Sequence, residues 1–368
     1  SQDFWQETNG PYGGLTQALL TLPSGVVFAG TGGGGVFRSS DTGGSWSGVN
    51  SGLTSTWITA LAITSSGDVF AGTDGGVFRS TDNGGSWTKA KIGSNSSIKS
   101  LTINSSGHVF AGTAGGGILR STDNGGSWTS VGFALTSTYI SSLAVTSSGH
   151  VLAATWGDGV FRSTDNGGNW SAVNSGLTNM RINCVAIDSA GFVFAGTNGG
   201  GVFQSTDNGA SWTAVNSGMS PNVVLSLAIN SAGHVFAGTN GGGVFRSTDN
   251  GGNWRTVNGG LTSPYVQSLV VNSSGYVFAG TSGGVFRSVR STLCPDPPKN
   301  LQVASGDAQV TLRWNANSES DFLRYRIYRG LASGQLVRVD STSQGISDTV
   351  RIVSGLANGT TYYFQVTS

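Results

Sequence analysis

Charge is scarce in this 368-residue chain. Lys, Arg, Asp and Glu together make up 10% of the residues and leave a net charge of +1, whereas roughly 25% of the residues of an average soluble domain are charged. The chain therefore lacks the basic surface that nucleic acid or an anionic membrane requires. No apolar run reaches the roughly 18 residues of a transmembrane helix. Only seven prolines are present and glycine has no three-residue period, which excludes collagen.

Glycine is abundant instead, with 60 residues, and all but six of them precede residue 293. The same part of the chain repeats the tetrapeptide Phe-Ala-Gly-Thr or a close variant. The threonines of this repeat are Thr31, Thr73, Thr113, Thr155, Thr197, Thr239 and Thr281. A period of roughly 40–45 residues, with short strands and turn residues, is typical of a β-propeller built from four-stranded blades. The sequence therefore predicts seven blades.

Each unit contains four short β-strand patterns separated by glycine-containing turns. In the fourth unit we predict strands at 140–145, 150–154, 159–163 and 169–173. The seventh unit loses its fourth strand after Ser288, while residues 5–10 resemble residues 254–259. We therefore predict that the N-terminal strand completes the seventh blade, which closes the ring and removes exposed strand edges.

Six units carry the motif Ser-x-Asp-x-Gly-x-x-Trp before the fourth strand. Its aspartates are Asp41, Asp82, Asp123, Asp165, Asp207 and Asp249. Over residues 1–292 the chain resembles the Asp-box, or BNR-repeat, propellers of sialidases, xyloglucanases, sortilin-type receptors and photosynthetic assembly factors. The resemblance implies a fold and no particular activity. It also implies a structural motif at the outer rim, in which Asp binds turn amides, Gly is left-handed and Trp covers the hairpin.

Few ionisable residues are left for an active site. The resemblance implies that a sialidase would need converging arginines and a Tyr/Glu pair, but most propeller arginines repeat one position and Glu occurs only at Glu7 and Glu319. A xyloglucanase-type hydrolase would use two carboxylates, for which Asp74 and Asp158, in equivalent turns of blades two and four, are the candidates. We predict no enzymatic activity, with a glycosidase using this pair as an alternative.

The sequence predicts neither a metal site nor a cofactor. His108, His150 and His234 occupy one repeated turn position and are therefore spread around the ring. Cys184 and Cys294 lack CxxC spacing and a nearby histidine. We expect two unpaired thiols, with Cys184 on the innermost strand of blade four, while their redox state stays open.

Positions that depart from the repeat are the candidates for binding. Trp57, Tyr139 and Tyr265 precede the first strands of their blades, Met180 and Arg181 take this place in what we count as blade four, and Tyr12 lies in the corresponding N-terminal loop. Trp156 and Asp158 interrupt a glycine-rich turn on the same face, around the central channel. The predicted ligand-binding residues are Trp57, Tyr139, Trp156, Asp158, Arg181 and Tyr265. Aromatic residues among Asn, Ser and Thr suit carbohydrate recognition, although covering loop backbone is the alternative.

The C-terminal part differs in composition. Residues 293–298 hold three of the seven prolines and read as a stiff linker. Residues 299–368 resemble a fibronectin type III domain, with residues 310–314 as strand B, 325–329 as strand C, and Tyr362 at the tyrosine corner before strand F. Strand G is missing before Ser368, so either the natural chain continues or another chain supplies this strand.

The sequence thus predicts an all-β protein, a seven-bladed propeller at 1–292 joined to a β-sandwich at 299–368. The start at Ser1, without Met or a hydrophobic leader, predicts a processed chain that is secreted or on the cell surface. We predict a non-catalytic binding or scaffold protein whose loop face contacts polysaccharide or extracellular protein. A filament or surface-layer subunit, polymerised by strand complementation, is the alternative. The identity of the ligand stays open.

Overall fold

The computed structural model describes residues 3–92, 96–132, 135–220, 223–293, 300–316, 325–332, 335–342 and 349–367. Residues 294–298 of the predicted linker, which include Cys294, and Glu319 lie outside the described residues. Two compact units are present, Ser1–Ser291 and Thr292–Ser368. All regular structure within the described ranges is β-strand, which confirms the predicted fold class.

The first unit contains seven four-stranded antiparallel sheets, the blades. Blade one has β2 (Thr16–Thr21), β3 (Val27–Thr31), β4 (Gly35–Ser39) and β5 (Ser47–Gly48). Blade two has β6 (Ile58–Ile63), β7 (Val69–Thr73), β8 (Gly76–Ser80) and β9 (Thr88–Lys89). Blade three has β10 (Ile98–Ile103), β11 (Val109–Thr113), β12 (Ile118–Ser121) and β13 (Thr129–Ser130). Blade four has β14 (Ile140–Val145), β15 (Val151–Thr155), β16 (Val160–Ser163) and β17 (Ser171–Ala172).

The remaining three blades follow the same order. Blade five has β18 (Ile182–Ile187), β19 (Val193–Thr197), β20 (Val202–Ser205) and β21 (Thr213–Ala214). Blade six has β22 (Val224–Ile229), β23 (Val235–Thr239), β24 (Val244–Ser247) and β25 (Arg255–Thr256). Blade seven has β26 (Val266–Val271), β27 (Val277–Thr281), β28 (Gly284–Ser288) and the N-terminal strand β1 (Trp5–Glu7).

The N-terminal strand closes the ring, as predicted. Trp5 pairs with Ser288 across β1 and β28, and its indole Nε1 donates a hydrogen bond to the Val257 carbonyl at 2.5 Å. The innermost strands of successive blades contact one another around the whole circle, and β26 contacts β2. Both ends of the blade array are therefore joined.

The core lies between blades. The second strand of every blade is buried throughout, because a neighbouring blade covers each of its faces. Phe28 of blade one, for example, belongs to one apolar cluster with Val69, Phe78 and Trp87 of blade two. Full burial of a phenylalanine side chain contributes about 1.5–3 kcal/mol, so this repeated packing holds the ring together.

Two of the predicted strand assignments need correction. Arg181 and Cys184 belong to blade five, not to blade four, because Cys184 lies on β18, which pairs with β19. Thr197, which ends β19, is the fifth of the seven repeat threonines. The fourth strand of blade four spans only Ser171–Ala172, shorter than predicted, because the outermost strand has a ladder partner on one side only.

The second unit has the sandwich arrangement of a fibronectin type III domain, with β29 (Gln302–Gly306), β30 (Gln309–Arg313), β31 (Arg326–Gly330), β32 (Val337–Ser341), β33 (Val350–Ser354) and β34 (Tyr363–Thr367). The sheet orders are β29-β30-β33 and β32-β31-β34. Trp314 and Tyr325 pack edge to face in its core, with ring centroids 5.1 Å apart. The Ala357 amide donates to the Tyr362 hydroxyl at 3.1 Å, the hydrogen bond that a tyrosine corner makes.

Candidate functional site

The propeller has two unlike faces. Successive strands of a blade are antiparallel, so its connections alternate between the two ends of the sheet. The turn between first and second strands and the turn that carries the Asp motif lie on one face, here called the box face. The turn between second and third strands and the loop that leads into the next blade lie on the other, here called the loop face.

On the box face each motif aspartate is held by its own turn. The Asp41 carboxylate accepts hydrogen bonds from the Ser39 hydroxyl at 2.7 Å, the Ser45 amide at 2.8 Å and the Ser45 hydroxyl at 2.7 Å. The same arrangement recurs at Asp82, Asp123, Asp165, Asp207 and Asp249. These donors lower the pKa of Asp41 to about 2, because they stabilise the ionised form.

The motif turn contains two successive left-handed residues. Gly84 has φ +88° and Asn83, just before it, has φ +55°. Asparagine tolerates this conformation better than most residues. Trp87 follows in the same motif, and its indole donates to the Val49 carbonyl of the preceding blade at 2.7 Å. The motif thus both shapes its own hairpin and ties neighbouring blades together.

The repeated arginines also act between blades. The Arg120 guanidinium donates to the Asn166 carbonyl in the motif turn of the next blade at 2.7 Å. Arg38, Arg162, Gln204 and Arg287 make the equivalent bond. Arg79 instead forms a 2.7 Å ion pair with Asp68. These arginines are distributed around the box face and therefore do not converge on one substrate.

The loop face carries most of the exposed apolar side chains. Seven large apolar side chains are exposed in the described part of the propeller, and six of them lie on the loop face, the exception being Val289. The six are Tyr12, Trp57, Tyr139, Trp156, Met180 and Tyr265. Contiguous exposed apolar patches mark contact sites for a partner or ligand, and within this set Tyr139 and Trp156 lie side by side.

The loop-face residues sit on a rigid backbone. The residue after the second strand pairs with the entry residue of the next blade, as in the bridges Gly32–Trp57 and Trp156–Arg181. In blade four the Gly157 and Gly159 amides both donate to the Met180 carbonyl, at 3.2 and 3.0 Å. Hydrogen bonds between blades thus fix the loops that carry the exposed side chains.

Four of the predicted ligand-binding residues come together in blades four and five. The rings of Tyr139 and Trp156 lie 6.2 Å apart at an angle of 53°, and Trp156 forms a backbone bridge with Arg181. The Asp158 carboxylate, in the same turn as Trp156, accepts a 2.7 Å hydrogen bond from the Thr136 hydroxyl. We call these four residues, Tyr139, Trp156, Asp158 and Arg181, the blade-four cluster.

The other two predicted residues lie elsewhere on the face. Trp57 enters blade two and is 48% exposed, and Tyr265 enters blade seven and is 54% exposed. Trp57 packs above Gly32, whose hypothetical Cβ would lie 3.6 Å from the indole and 2.9 Å from Gln17 Nε2. Gln17 was absent from the sequence prediction.

Gln17 belongs to a set of side chains at equivalent positions near the loop-face end of the innermost strands. Every innermost strand has a β-bulge after its first residue, where the register shifts by one. The bulged residues are Gln17, Thr59, Lys99, Ser141, Asn183, Leu225 and Gln267. β-Bulges redirect side chains, and no residue type marks them, since Gln17-Ala18 and Leu225-Ser226 occupy the positions that Ser141-Ser142 have in blade four.

Asp74 and Asp158, the two candidate catalytic carboxylates, share no hydrogen-bond partner among the described residues. Asp74 accepts a hydrogen bond from Ser55, and Asp158 accepts one from Thr136, each from the loop that enters its own blade. A whole blade separates the two aspartates along the ring. Each carboxylate therefore anchors its own loop, and their joint catalytic role stays a prediction.

The described residues contain no group of three or more His, Cys, Asp or Glu side chains able to hold a metal ion. Cys184 is a free thiol, and burial raises its pKa to about 12, so it is a poor nucleophile. Within the described ranges, no helix has the length and hydrophobicity needed to span a bilayer.

The sheets of the two units define the chain as a β-propeller followed by a fibronectin type III module. The profile of the DUF6242 beta propeller domain matches residues 16–140 and 144–269, and the chain belongs to this family. The fibronectin type III profile matches residues 296–368. No curated protein matches the sequence.

Solved structures share the fold at low sequence identity. The extracellular domain of a protein assigned as a one component system from B. thetaiotaomicron is 15% identical, with a TM-score of 0.67 over 93% of this chain and 54% of that one. The GH74 xyloglucanase from Xanthomonas campestris is 16% identical, with a TM-score of 0.65 over 85% and 60%. YCF48 bound to D1 peptide is 17% identical, with a TM-score of 0.65 over 80% and 98%. The chain spans about half the length of the first of these.

Proposed function

We propose that this chain is a secreted, non-catalytic binding protein whose loop face holds a glycan. The observation that carries the proposal is the segregation of exposed apolar side chains, six of seven of which lie on the loop face. Aromatic rings offer flat apolar surfaces that match the C–H faces of sugars, and their polar edges tolerate water. A propeller scaffold keeps these rings in place because its loops are hydrogen-bonded between blades.

The polar groups around the aromatic rings favour a glycan over a protein partner. The loop face is rich in Asn, Ser and Thr side chains and backbone amides, which donate to and accept from sugar hydroxyls. Protein interfaces rely more on apolar area at their centre and on arginine, and Arg181 is the single arginine of the blade-four cluster. Relatives in fold include both a xyloglucanase and a peptide-bound protein, so protein binding is an outcome that the experiment must distinguish.

The absence of catalysis is part of the proposal. The motif aspartates are engaged by turn donors, and Asp74 and Asp158 are each engaged by a hydroxyl of their own blade. A glycosidase needs its two carboxylates about 5–9.5 Å apart across the scissile bond. The hydrogen bonds of Asp74 and Asp158 hold each carboxylate to its own blade and do not bring the two together in such an arrangement.

The test is binding of the purified chain to a panel of neutral and acidic polysaccharides in affinity gel electrophoresis. We expect retardation by at least one neutral polysaccharide, and we expect Trp57→Ala and Trp156→Ala to reduce it. Val289→Ala, at an exposed apolar residue away from the loop face, is the control and should behave as the parent chain. Retardation that both tryptophan variants leave unchanged, or binding to proteins alone, would overturn the proposal.

A further inference from the structure

We propose that Gln17, Gly32 and Trp57 form a subsite for one uncharged sugar ring at the junction of blades one and two, and the inference rests on the proposed function. In this subsite the Trp57 indole supports the ring and the Gln17 amide binds one of its hydroxyls. It is separate from the blade-four cluster, because blade three lies between them on the shorter path around the ring.

Comparison of the blades singles out Gly32. The position just after the second strand carries a side chain in the other blades that have the same turn length, namely Ala114, Trp156, Asn198 and Asn240. Glycine occurs there in blade one alone. The space that a side chain would fill is bordered by Gln17 Nε2 at 2.9 Å and by two carbons of the Trp57 indole at 3.6 Å from the hypothetical Cβ. Gly32 therefore lets the amide and the indole approach each other.

The Gln17 amide is available for a ligand. Three other bulged residues use their polar atoms within the protein: Thr59 and Ser141 donate to the Ile98 and Ile182 carbonyls, each at 2.5 Å, and Asn183 donates to the Val224 carbonyl at 2.8 Å, in each case on the next blade. The Gln17 side chain forms no hydrogen bond to any residue in the described ranges. A half-buried amide offers a donor and an acceptor, and beside the 48% exposed Trp57 these are directed at the same ligand.

The lack of charged residues in the surrounding loops restricts the class of sugar that this subsite can bind. The loops that surround this subsite, residues 8–15, 32–34 and 49–57, contain no Asp, Glu, Lys, Arg or His. One charged side chain, Asp74, is hydrogen-bonded to them through Ser55, and it is an anion. A uronic acid, a sialic acid or a sulfated sugar would lose hydration of its charge here without gaining a countercharge. A neutral hexopyranose loses no such hydration, and its hydroxyls pair with the amide. The subsite therefore fits a residue of a neutral polysaccharide.

Two variants test the subsite in the full chain. Gly32→Ala places a methyl group against the Gln17 amide, and the fold tolerates it because Ala114 occupies the equivalent position in blade three and Gly32 has no left-handed φ. Gln17→Ala removes the amide. Val289→Ala, away from the loop face, is the control. The probes are soluble neutral polysaccharides (a β-glucan, a xyloglucan and a galactomannan) and the acidic polygalacturonate, titrated calorimetrically.

We expect the parent chain to bind at least one neutral probe, and both variants to raise its Kd by about tenfold, the loss of one good hydrogen bond to a ligand. Val289→Ala should keep the parental Kd. Binding of a neutral probe that neither variant weakens would overturn the subsite and leave the proposed function standing. Binding of polygalacturonate alone would overturn the neutral class. Failure of the parent chain to bind any probe would overturn both proposals.

Discussion

Trp156 and Tyr139 are joined by a backbone hydrogen bond and by a ring contact. The Trp156 amide donates to the Tyr139 carbonyl at 3.2 Å, and the centroids of the two rings are 6.2 Å apart. One residue is in the turn after the second strand of blade four and the other in the loop that enters that blade. Because both are fixed by the same ladder, the two aromatic surfaces have a defined relative orientation. A rigid pair of this kind loses little side-chain entropy when it binds a ligand.

The blade-four cluster can be tested with a substitution that the repeat itself supplies. Trp156→Asn introduces the residue that blades five and six have at this position, Asn198 and Asn240, so the fold should be retained. We expect polysaccharide affinity to fall by about tenfold, since an aromatic contact contributes roughly 0.5–1.5 kcal/mol beyond its buried area. Isothermal titration against the polysaccharide that the parent chain binds gives the ratio. Equal affinities for parent and variant would remove Trp156 from the binding surface.

Ring closure makes a prediction about stability. Trp5 is 1% exposed and packs in the core between blades six and seven, whereas Trp46, at the equivalent motif position of blade one, is half-buried. Removal of a buried tryptophan side chain costs about 3–5 kcal/mol, so Trp5→Ala should lower the melting temperature more than Trp46→Ala. Differential scanning calorimetry compares the two. A larger effect of Trp46→Ala would contradict the role of the N-terminal strand.

The motif aspartates predict a specific pH dependence of stability. Turn donors lower the pKa of Asp82, Asp123, Asp165 and Asp207 to about 2 in the folded chain, whereas an unfolded Asp has a pKa of about 3.9. A lowered carboxyl pKa stabilises the folded state above the unfolded pKa, and this contribution is lost as the pH falls through the folded pKa. The melting temperature should therefore decrease between about pH 4 and pH 2.

Asp165→Asn provides the comparison for this pH dependence. In the parent chain the Asp165 carboxylate accepts hydrogen bonds from the backbone and side-chain amides of Asn169 and from the Ser163 hydroxyl. The variant should be less stable than the parent chain at pH 7 and should converge toward it at pH 2, because the parent loses the same interaction by protonation. A constant difference in melting temperature from pH 7 to pH 2 would show that the carboxylate charge has no part in holding the turn.

Substitution of Asp74 and of Asp158 tests whether the chain has glycosidase activity. We expect the parent chain to release no reducing sugar from xyloglucan or from a mixed-linkage glucan above the level of a heat-denatured sample. Asp74→Asn and Asp158→Asn should change nothing in this assay, because each carboxylate serves to hold a loop. Hydrolysis by the parent chain that either variant abolishes would establish a glycosidase and contradict the proposed function.

Much of the fold follows from the repeat. The alternation of Ile140 to Val145 predicts the first strand of blade four at its observed bounds, and the likeness of residues 5–10 to 254–259 predicts the closing strand. Such patterns are readable because each blade buries the same side chains against the next. The short fourth strands are less predictable, since an outermost strand ends where neighbour packing ends and no residue type marks that point.

Only part of the candidate site can be predicted from the sequence. Exposed aromatic residues stand out because they interrupt a uniform repeat, and the structure places Tyr139 and Trp156 side by side. Gln17 was missed because its importance depends on a β-bulge and on the close approach of its amide to Gly32. Neither is a property of one residue type. Gly32 stands out when the blades are compared position by position, but the approach of Gln17 and Trp57 to it depends on contacts that such a comparison does not contain.

The central claim is that a glycan occupies the loop face, and hydroxyl-radical footprinting with mass spectrometry tests it most directly. The chain is oxidised with and without a saturating amount of the neutral polysaccharide that it binds. We predict that oxidation of Trp57, Tyr139 and Trp156 falls in the complex, while oxidation of Val289, exposed away from the loop face, stays the same. Protection of Val289 and the box-face turns with no change at Trp57 and Trp156 would contradict the account.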